Sequence, residues 1–266
     1  MINNYQEDSF LKVKTQWKNN KTVLKDCYFT APLKITKPFY DYENNTMKLC
    51  VMNTSPGVLE GDRYIIEFNL NENSRLHVYS QSYNKIFNMK EGYAFQKLNI
   101  NLSSKSRFEY FVQPTLPFKG ANFKGSTDVN MDDDSTLVYR EIISCGRYRR
   151  EEIFEFKKYS SLTKISYNGK LIFLDNTVLE PEKQELWDIG FYEGFTHQAN
   201  VFIVSSNVNE ELREGIVSYL NHKNNIVFGA SISCPKVLII RMLGKNSEEL
   251  CKITEYVRNM DSVLKL

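Results

Sequence analysis

The stretch Leu162-Thr163-Lys164-Ile165-Ser166-Tyr167-Asn168-Gly169-Lys170-Leu171-Ile172-Phe173-Leu174-Asp175 decides the fold class. Two alternating runs, 162–167 and 170–175, flank the dipeptide Asn168-Gly169. Both central residues of a type I′ turn need positive φ, which Asn and Gly tolerate best. The spacing therefore predicts a two-residue β-hairpin. In the second run Leu171, Phe173 and Asp175 fall on one face, so a carboxylate closes an apolar row.

The same period of two recurs upstream. Ala94, Gln96, Leu98, Ile100 and Leu102 alternate with Phe95, Lys97, Asn99 and Asn101, the pattern of a half-buried strand. Phe108, Tyr110 and Val112 repeat it, and Leu137, Tyr139, Glu141 and Ile143 share a face. Tyr64, Ile66, Phe68 and Leu70 form a further row. It follows Asn53-Thr54-Ser55-Pro56-Gly57-Val58-Leu59-Glu60-Gly61-Asp62-Arg63, where two glycines and a proline force a sharp turn and Glu60 and Asp62 flank Gly61. Closely spaced turn signals suit a sandwich, a barrel or a β-helix. No fixed repeat period supports a regular solenoid.

The last sixty or so residues change character. Leu212, Ile216 and Leu220 predict a helix over 209–222. Strand patterns follow at 226–233 and 237–243. Asn246 three residues before Glu249 then opens a helix over 247–260, with Leu250, Ile253, Val257 and Met260 as its apolar stripe. No linker separates this helix–strand–strand–helix region, 206–266, from the β-rich 1–205, so one domain over 1–266 is expected. The segment 180–193 is irregular, but Trp187, Ile189 and Phe191 suggest a packed loop.

Composition excludes several function classes. Apolar residues at 42% and charged residues at 25% are ordinary for a globular protein. A net charge of +2 argues against nucleic-acid binding by bulk charge. The basic run 147–150 is neutralised at once by Glu151 and Glu152. Residues 1–10 lack the apolar core of a signal peptide, and no run reaches the length of a membrane span. Five dispersed cysteines without a CxxC fit a reducing cytoplasm.

Enzyme signatures are scarce. There is no P-loop, GxGxxG or HExxH, and Gly229-Ala230-Ser231-Ile232-Ser233 lacks the second glycine of a nucleophile elbow. His77, His197 and His222 stand far apart, and Cys145 reads as a small buried thiol. Asp132-Asp133-Asp134 reads as a solvated hairpin loop. The informative acids are Glu141 and Asp175. A carboxylate on an apolar strand face is paired, protonated, metal-bound or turned to a water-filled cavity. Ion pairing with Arg140, Arg147 or Lys85 is the plainest of these.

Seven segments then occur together. They are Pro32-Leu33-Lys34-Ile35 with Lys37-Pro38-Phe39-Tyr40; residues 55–62; Ser80-Gln81-Ser82-Tyr83-Asn84-Lys85-Ile86-Phe87; Leu116-Pro117-Phe118-Lys119-Gly120-Ala121; Arg140-Glu141-Ile142 leading to Cys145-Gly146-Arg147; Asp175-Asn176-Thr177-Val178-Leu179; and Phe191-Tyr192-Glu193-Gly194-Phe195-Thr196-His197. In this order the chain resembles the urease accessory protein UreD family, called UreH in some bacteria. The resemblance runs over roughly residues 20–260.

It implies a mainly β fold, a β-helix-like stack of strands with two C-terminal α-helices. It also implies a non-catalytic chaperone or scaffold. Such a protein binds UreF and through it the GTPase UreG, docks on apo-urease, and supports nickel insertion. A homodimer within that complex is compatible with it. No cofactor is tightly bound; nickel(II) is in transit through an internal tunnel. Family positions implicated in that passage match Asp62, Glu141 and Asp175, and a family serine is replaced here by Asn84. Glu60, across Gly61 from Asp62, is counted with them. Two other readings stand beside it: a carbohydrate-active β protein using a carboxylate pair, and a purely structural binding module.

Overall fold

Asn168 and Gly169 adopt φ values of 47° and 72°, and the hairpin they close is the one the alternation predicts. The computed structural model describes residues 7–41, 45–234 and 236–266. Residues 1–6, part of the polar N-terminal stretch noted above, lie outside the described residues.

In chain order the strands are β1 (Ser9–Lys18), β2 (Lys21–Phe29), β3 (Leu33–Ile35), β4 (Phe39–Asp41), β5 (Thr46–Asn53), β6 (Arg63–Leu70), β7 (Arg75–Ser80), β8 (Asn84–Ile86) and β9 (Ala94–Leu102). They continue as β10 (Arg107–Phe111), β11 (Thr115–Pro117), β12 (Asn122–Met131), β13 (Thr136–Ser144), β14 (Lys158–Tyr167), β15 (Lys170–Leu179) and β16 (His197–Val204). Helix α1 (Glu210–Asn221), β17 (Ile226–Cys234), β18 (Val237–Gly244), α2 (Ser247–Arg258) and a short α3 (Asp261–Leu264) complete the chain.

The chain winds between two sheets. One runs β15-β14-β12-β9-β6-β1-β2. The other runs β17-β18-β16-β13-β10-β7-β5-β3, with β4, β8 and β11 attached. The middle of each is parallel: β1, β6, β9, β12 and β14 in the first, β5, β7, β10 and β13 in the second. This is a β-helix-like stack, and hairpins or other antiparallel strands close both ends of each sheet. The starts of β6, β9, β12 and β14, at Arg63, Ala94, Asn122 and Lys158, are unevenly spaced. Unequal rungs explain why the sequence carries no repeat period.

Alternation along the strands builds the interior. Tyr64, Ile66, Phe68 and Leu70 are all buried, as are Ala94, Leu98, Ile100 and Leu102 on the neighbouring rung. They join a core between the two sheets that includes Phe108, Tyr110 and Tyr139. A second core lies on the outer face of the second sheet. There Val138, Ile142, Val201 and Ile240 meet Leu212, Ile216 and Leu220 of α1 and Leu250, Ile253 and Val257 of α2. Asn209 caps α1 through the Leu212 amide, and Asn246 caps α2 through the Glu248 amide.

Three local expectations are corrected. Asp132-Asp133-Asp134 is a corner between sheets, not a hairpin, because β12 and β13 belong to different sheets. Leu171 is 52% exposed and does not share the face of Phe173, because a bulge at Ile165/Ser166 shifts the register. In the 180–193 loop the packed residues are Leu186 and Tyr192, whereas Ile189 is 89% exposed. Trp187 leans on Phe154 with ring centroids 5.3 Å apart but stays half-exposed.

Candidate functional site

The sharp turn after β5 is stitched to the segment around β8. The Val58 amide donates to the Lys85 carbonyl at 2.7 Å, and the Phe87 amide donates to the Val58 carbonyl at 3.0 Å. Gly57 is required there, since a Cβ would lie 2.6 Å from the Lys85 carbonyl oxygen. Strand β8 pairs in turn with β11, and β11 meets β13 at Thr115 and Ile143. A short third row of strands thus joins three of the seven segments singled out in the sequence.

Behind this row lies a cavity of about 150 Å³. Tyr64, Asn84, Tyr110, Tyr139, Glu141 and Ser161 contribute to its wall. The lining also includes the exposed Pro56, Ser82 and Lys85, so the cavity reaches the surface at this corner.

Glu141 is the carboxylate on that wall. It sits deep in the molecule yet keeps accessible surface, because it faces the cavity rather than packed atoms. The Tyr139 hydroxyl donates to its Oε1 at 2.8 Å and the Ser161 hydroxyl at 3.1 Å. Burial pushes the carboxyl above the usual carboxylate range; the two hydroxyls pull it back, while the nearby Asp175 pushes it further up.

The ion pairs suggested by the sequence do not form at Glu141. Arg140, the next residue, points through the opposite face of β13. Its Nη2 donates to the carbonyls of Phe111 and Val112 at 3.1 and 2.8 Å, and Nη1 donates to the Thr254 hydroxyl at 3.1 Å. Arg147 is held by Glu152 and lies 4.2 Å over the Phe118 ring.

The remaining candidates are placed differently. Asp175 pairs with Arg241 rather than with the bases the sequence suggested. Asp62 is buried and accepts from the Leu59 amide at 2.8 Å and the Tyr64 hydroxyl at 2.7 Å. It therefore fixes the Gly61 turn and one tyrosine of the cavity wall. Glu60 accepts from the amides of Lys90, Glu91 and Gly92, which hold its carboxyl below the usual range. It fastens a surface loop. Asn84 stands on the wall with Glu141. Of the five, the structure thus brings two to the cavity, sets Asp62 and Asp175 beside its wall residues, and leaves Glu60 on the outer loop.

Sequence reasoning missed Ser161 and the wall tyrosines. Tyr139 was within reach, since it lies two residues before Glu141 on the same face. Ser161 arrives from β14, in the other sheet, and no local pattern marks it. Among the described residues, no three His, Cys, Asp or Glu side chains gather to hold a metal ion. No helix among them is long and apolar enough to cross a membrane.

Comparison with known proteins finds relatives over nearly the whole chain. The family model for the UreD urease accessory protein matches residues 7–263. The chain is 39% identical to a urease accessory protein UreD of Acetivibrio thermocellus, over 98% of this chain and 99% of that protein. It is 36% identical to a UreD of Flavobacterium johnsoniae over 90% of this chain and 87% of that one. A urease accessory protein UreH of Helicobacter pylori is 29% identical over 97% of both chains. A match of this extent, on a β-helix-like stack with helices at its end, places the chain in the UreD family of urease accessory proteins.

Proposed function

We propose that this chain is a non-catalytic scaffold that passes nickel(II) into apo-urease, acting in the cytoplasm with UreF and, through UreF, the GTPase UreG. Family membership supports the urease connection. The observation that carries the nickel reading is Glu141, a deep carboxylate held by two hydroxyls and turned to a cavity that reaches the surface.

Its neighbours on the wall, Asn84, Tyr139 and Ser161, offer only oxygen. Divalent nickel prefers imidazole nitrogen, so a sparse oxygen set holds it weakly and releases it. The raised pKa of Glu141 acts in the same direction: a proton competes more strongly with an arriving cation than at an ordinary carboxylate, which weakens the hold further. Asp175 with Arg241 would set the field beside Glu141, and Asp62 would position Tyr64. A role for Glu60 would run through the loop it fastens.

The carbohydrate-active reading needs two carboxyls facing one cleft. Of Asp62, Glu141 and Asp175, Glu141 alone contributes to the cavity wall, and no observation favours that reading.

The test is co-expression with urease and the other accessory proteins, followed by measurement of urease nickel content and a pull-down of UreF. Glu141→Ala and Asp175→Ala are expected to keep UreF and lower nickel loading. Asn84→Ala is expected to lower it less, since it removes a neutral ligand. Full loading with Glu141 and Asp175 both replaced overturns the proposal. Loss of UreF binding assigns these residues to the scaffold instead.

A further inference from the structure

The outer face of the second sheet carries a polar patch that the proposed passage does not use. In parallel register, Lys48, His77 and Glu109 stand in one row across β5, β7 and β10, and Arg75 and Arg107 form the next row. Interior parallel strands are ordinarily apolar. Here instead they floor a second cavity of about 220 Å³, which Arg258 of α2 closes from above.

The cavity is rich in positive charge. Lys48 pairs with Asp41 at 2.9 Å. Glu109 is shared by Arg107 at 2.8 Å and Arg258 at 2.8 Å. Four cationic side chains thus line a space that holds two carboxylates. Glu255 also pairs with Arg258, and the C-terminal end of α2 adds about half a negative charge. The balance stays positive after both are counted.

Buried donors there lack acceptors. Arg107 donates Nε to Glu109 and Nη1 to the Val263 carbonyl, but Nη2 has no partner. Neither ring nitrogen of His77 makes a hydrogen bond. Each of these residues is only 7% exposed. A buried unsatisfied donor is costly, so an occupant that accepts hydrogen bonds is called for. A cation is disfavoured by the charge balance. An acceptor-only tetrahedral oxyanion matches both the charge and the forked geometry of guanidinium.

We propose that this cavity binds a phosphate group, held by Arg107 Nη2, the His77 ring and Arg75 at its exposed side. The space exceeds the roughly 30 Å³ share of one water and admits such an ion with companion waters. The proposal is independent of the nickel reading.

The test is calorimetric titration of inorganic phosphate into the full chain in chloride buffer, with the His77 ring followed by NMR. Saturable one-to-one binding that shifts the His77 resonances is expected. Arg75→Gln, which alters an exposed side chain, is expected to weaken binding about tenfold without changing unliganded stability. Arg107→Gln is expected to abolish binding, and Arg75→Gln carries the test if that variant fails to fold. No saturable heat at millimolar phosphate overturns the proposal, as does unchanged affinity in Arg75→Gln. A parallel titration with glycerol 2-phosphate distinguishes the source. Rejection of it assigns the site to the free ion; equal binding assigns it to the phosphoryl group of a larger molecule.

Discussion

Two deep carboxylates lie on opposite faces of the same sheet, and their pKa values are shifted in opposite directions. Glu141 points inward from β13 and meets two hydroxyls. Glu109 points outward from β10 and meets two guanidinium groups. Burial drives both carboxyls up. At Glu141 the hydroxyls only partly offset it, and the pKa remains raised. At Glu109 Arg107 and Arg258 more than reverse it, and the carboxyl is held below its usual range. Depth in the fold therefore does not fix the direction in which an acid's pKa moves; the donors that the neighbouring strands and helices supply do.

The largest effect is expected at Glu109. Glu109→Gln leaves Arg107 and Arg258 facing each other without their shared anion and should destabilise the fold by about 3 kcal/mol, read by chemical denaturation. A loss below about 1 kcal/mol would show that the cavity already holds a compensating anion or water. Repeating the measurement with added phosphate separates those two cases.

Acid should divide the two faces. His77 lies beside Glu109, and burial, then the Arg258 charge, lowers its pKa from an ordinary value near 6.5 to about 4. The unfolded chain therefore binds a proton that the folded one refuses between these values. Stability from this group is complete above about pH 6.5 and is lost as pH falls toward 4. His77→Gln should flatten that limb of the stability–pH curve by about 3 kcal/mol, and an unchanged slope would count against a neutral His77.

The inner face should respond with the opposite sign and more weakly. A carboxyl with a raised folded pKa favours folding at low pH, and that contribution disappears as pH rises through the folded value. Glu141→Gln keeps an oxygen for Tyr139 and Ser161 while removing the buried charge. It should raise stability at pH 7 and leave it unchanged below the ordinary carboxylate range, near pH 4.3, read by chemical denaturation at the two pH values. Destabilisation at pH 7 would mean that the ionised carboxylate has a partner in the folded protein.

What the sequence revealed was local. Asn168-Gly169 named its hairpin because the turn chemistry sits in the two residues themselves. Asn246 marked the start of α2 for the same reason, and the apolar stripe Leu212, Ile216 and Leu220 marked α1. Leu171 was misplaced because a bulge at Ile172 inserts an extra residue into its own strand, and the alternating run carries no mark of it. At the site, the apolar row 137–143 correctly exposed Glu141 as an acid on an inward face. Its partners were less legible. Alternation alone sends Arg140 to the opposite side, so that pairing could have been rejected. The hydroxyl of Ser161 and the pairing of Asp175 with Arg241 depend on how β14, β15 and β18 come together, and only the folded rungs bring them within reach. His77 looked isolated because its companions, Lys48 and Glu109, come from separate rungs.

The unequal rungs also bear on how the chain reaches this state. Parallel neighbours in the first sheet, such as β6 and β9, are separated by a complete excursion through the other sheet. Each pairing must close a long loop before any contact rewards it, which slows folding. The β14–β15 hairpin can close on a microsecond scale, and α1 faster still. During the longer wait, half-built rungs display open strand edges to other chains. A molecule wound in this way would spend its early life vulnerable to aggregation, and a partner that covers those edges during synthesis would raise the yield of folded protein without altering its final stability.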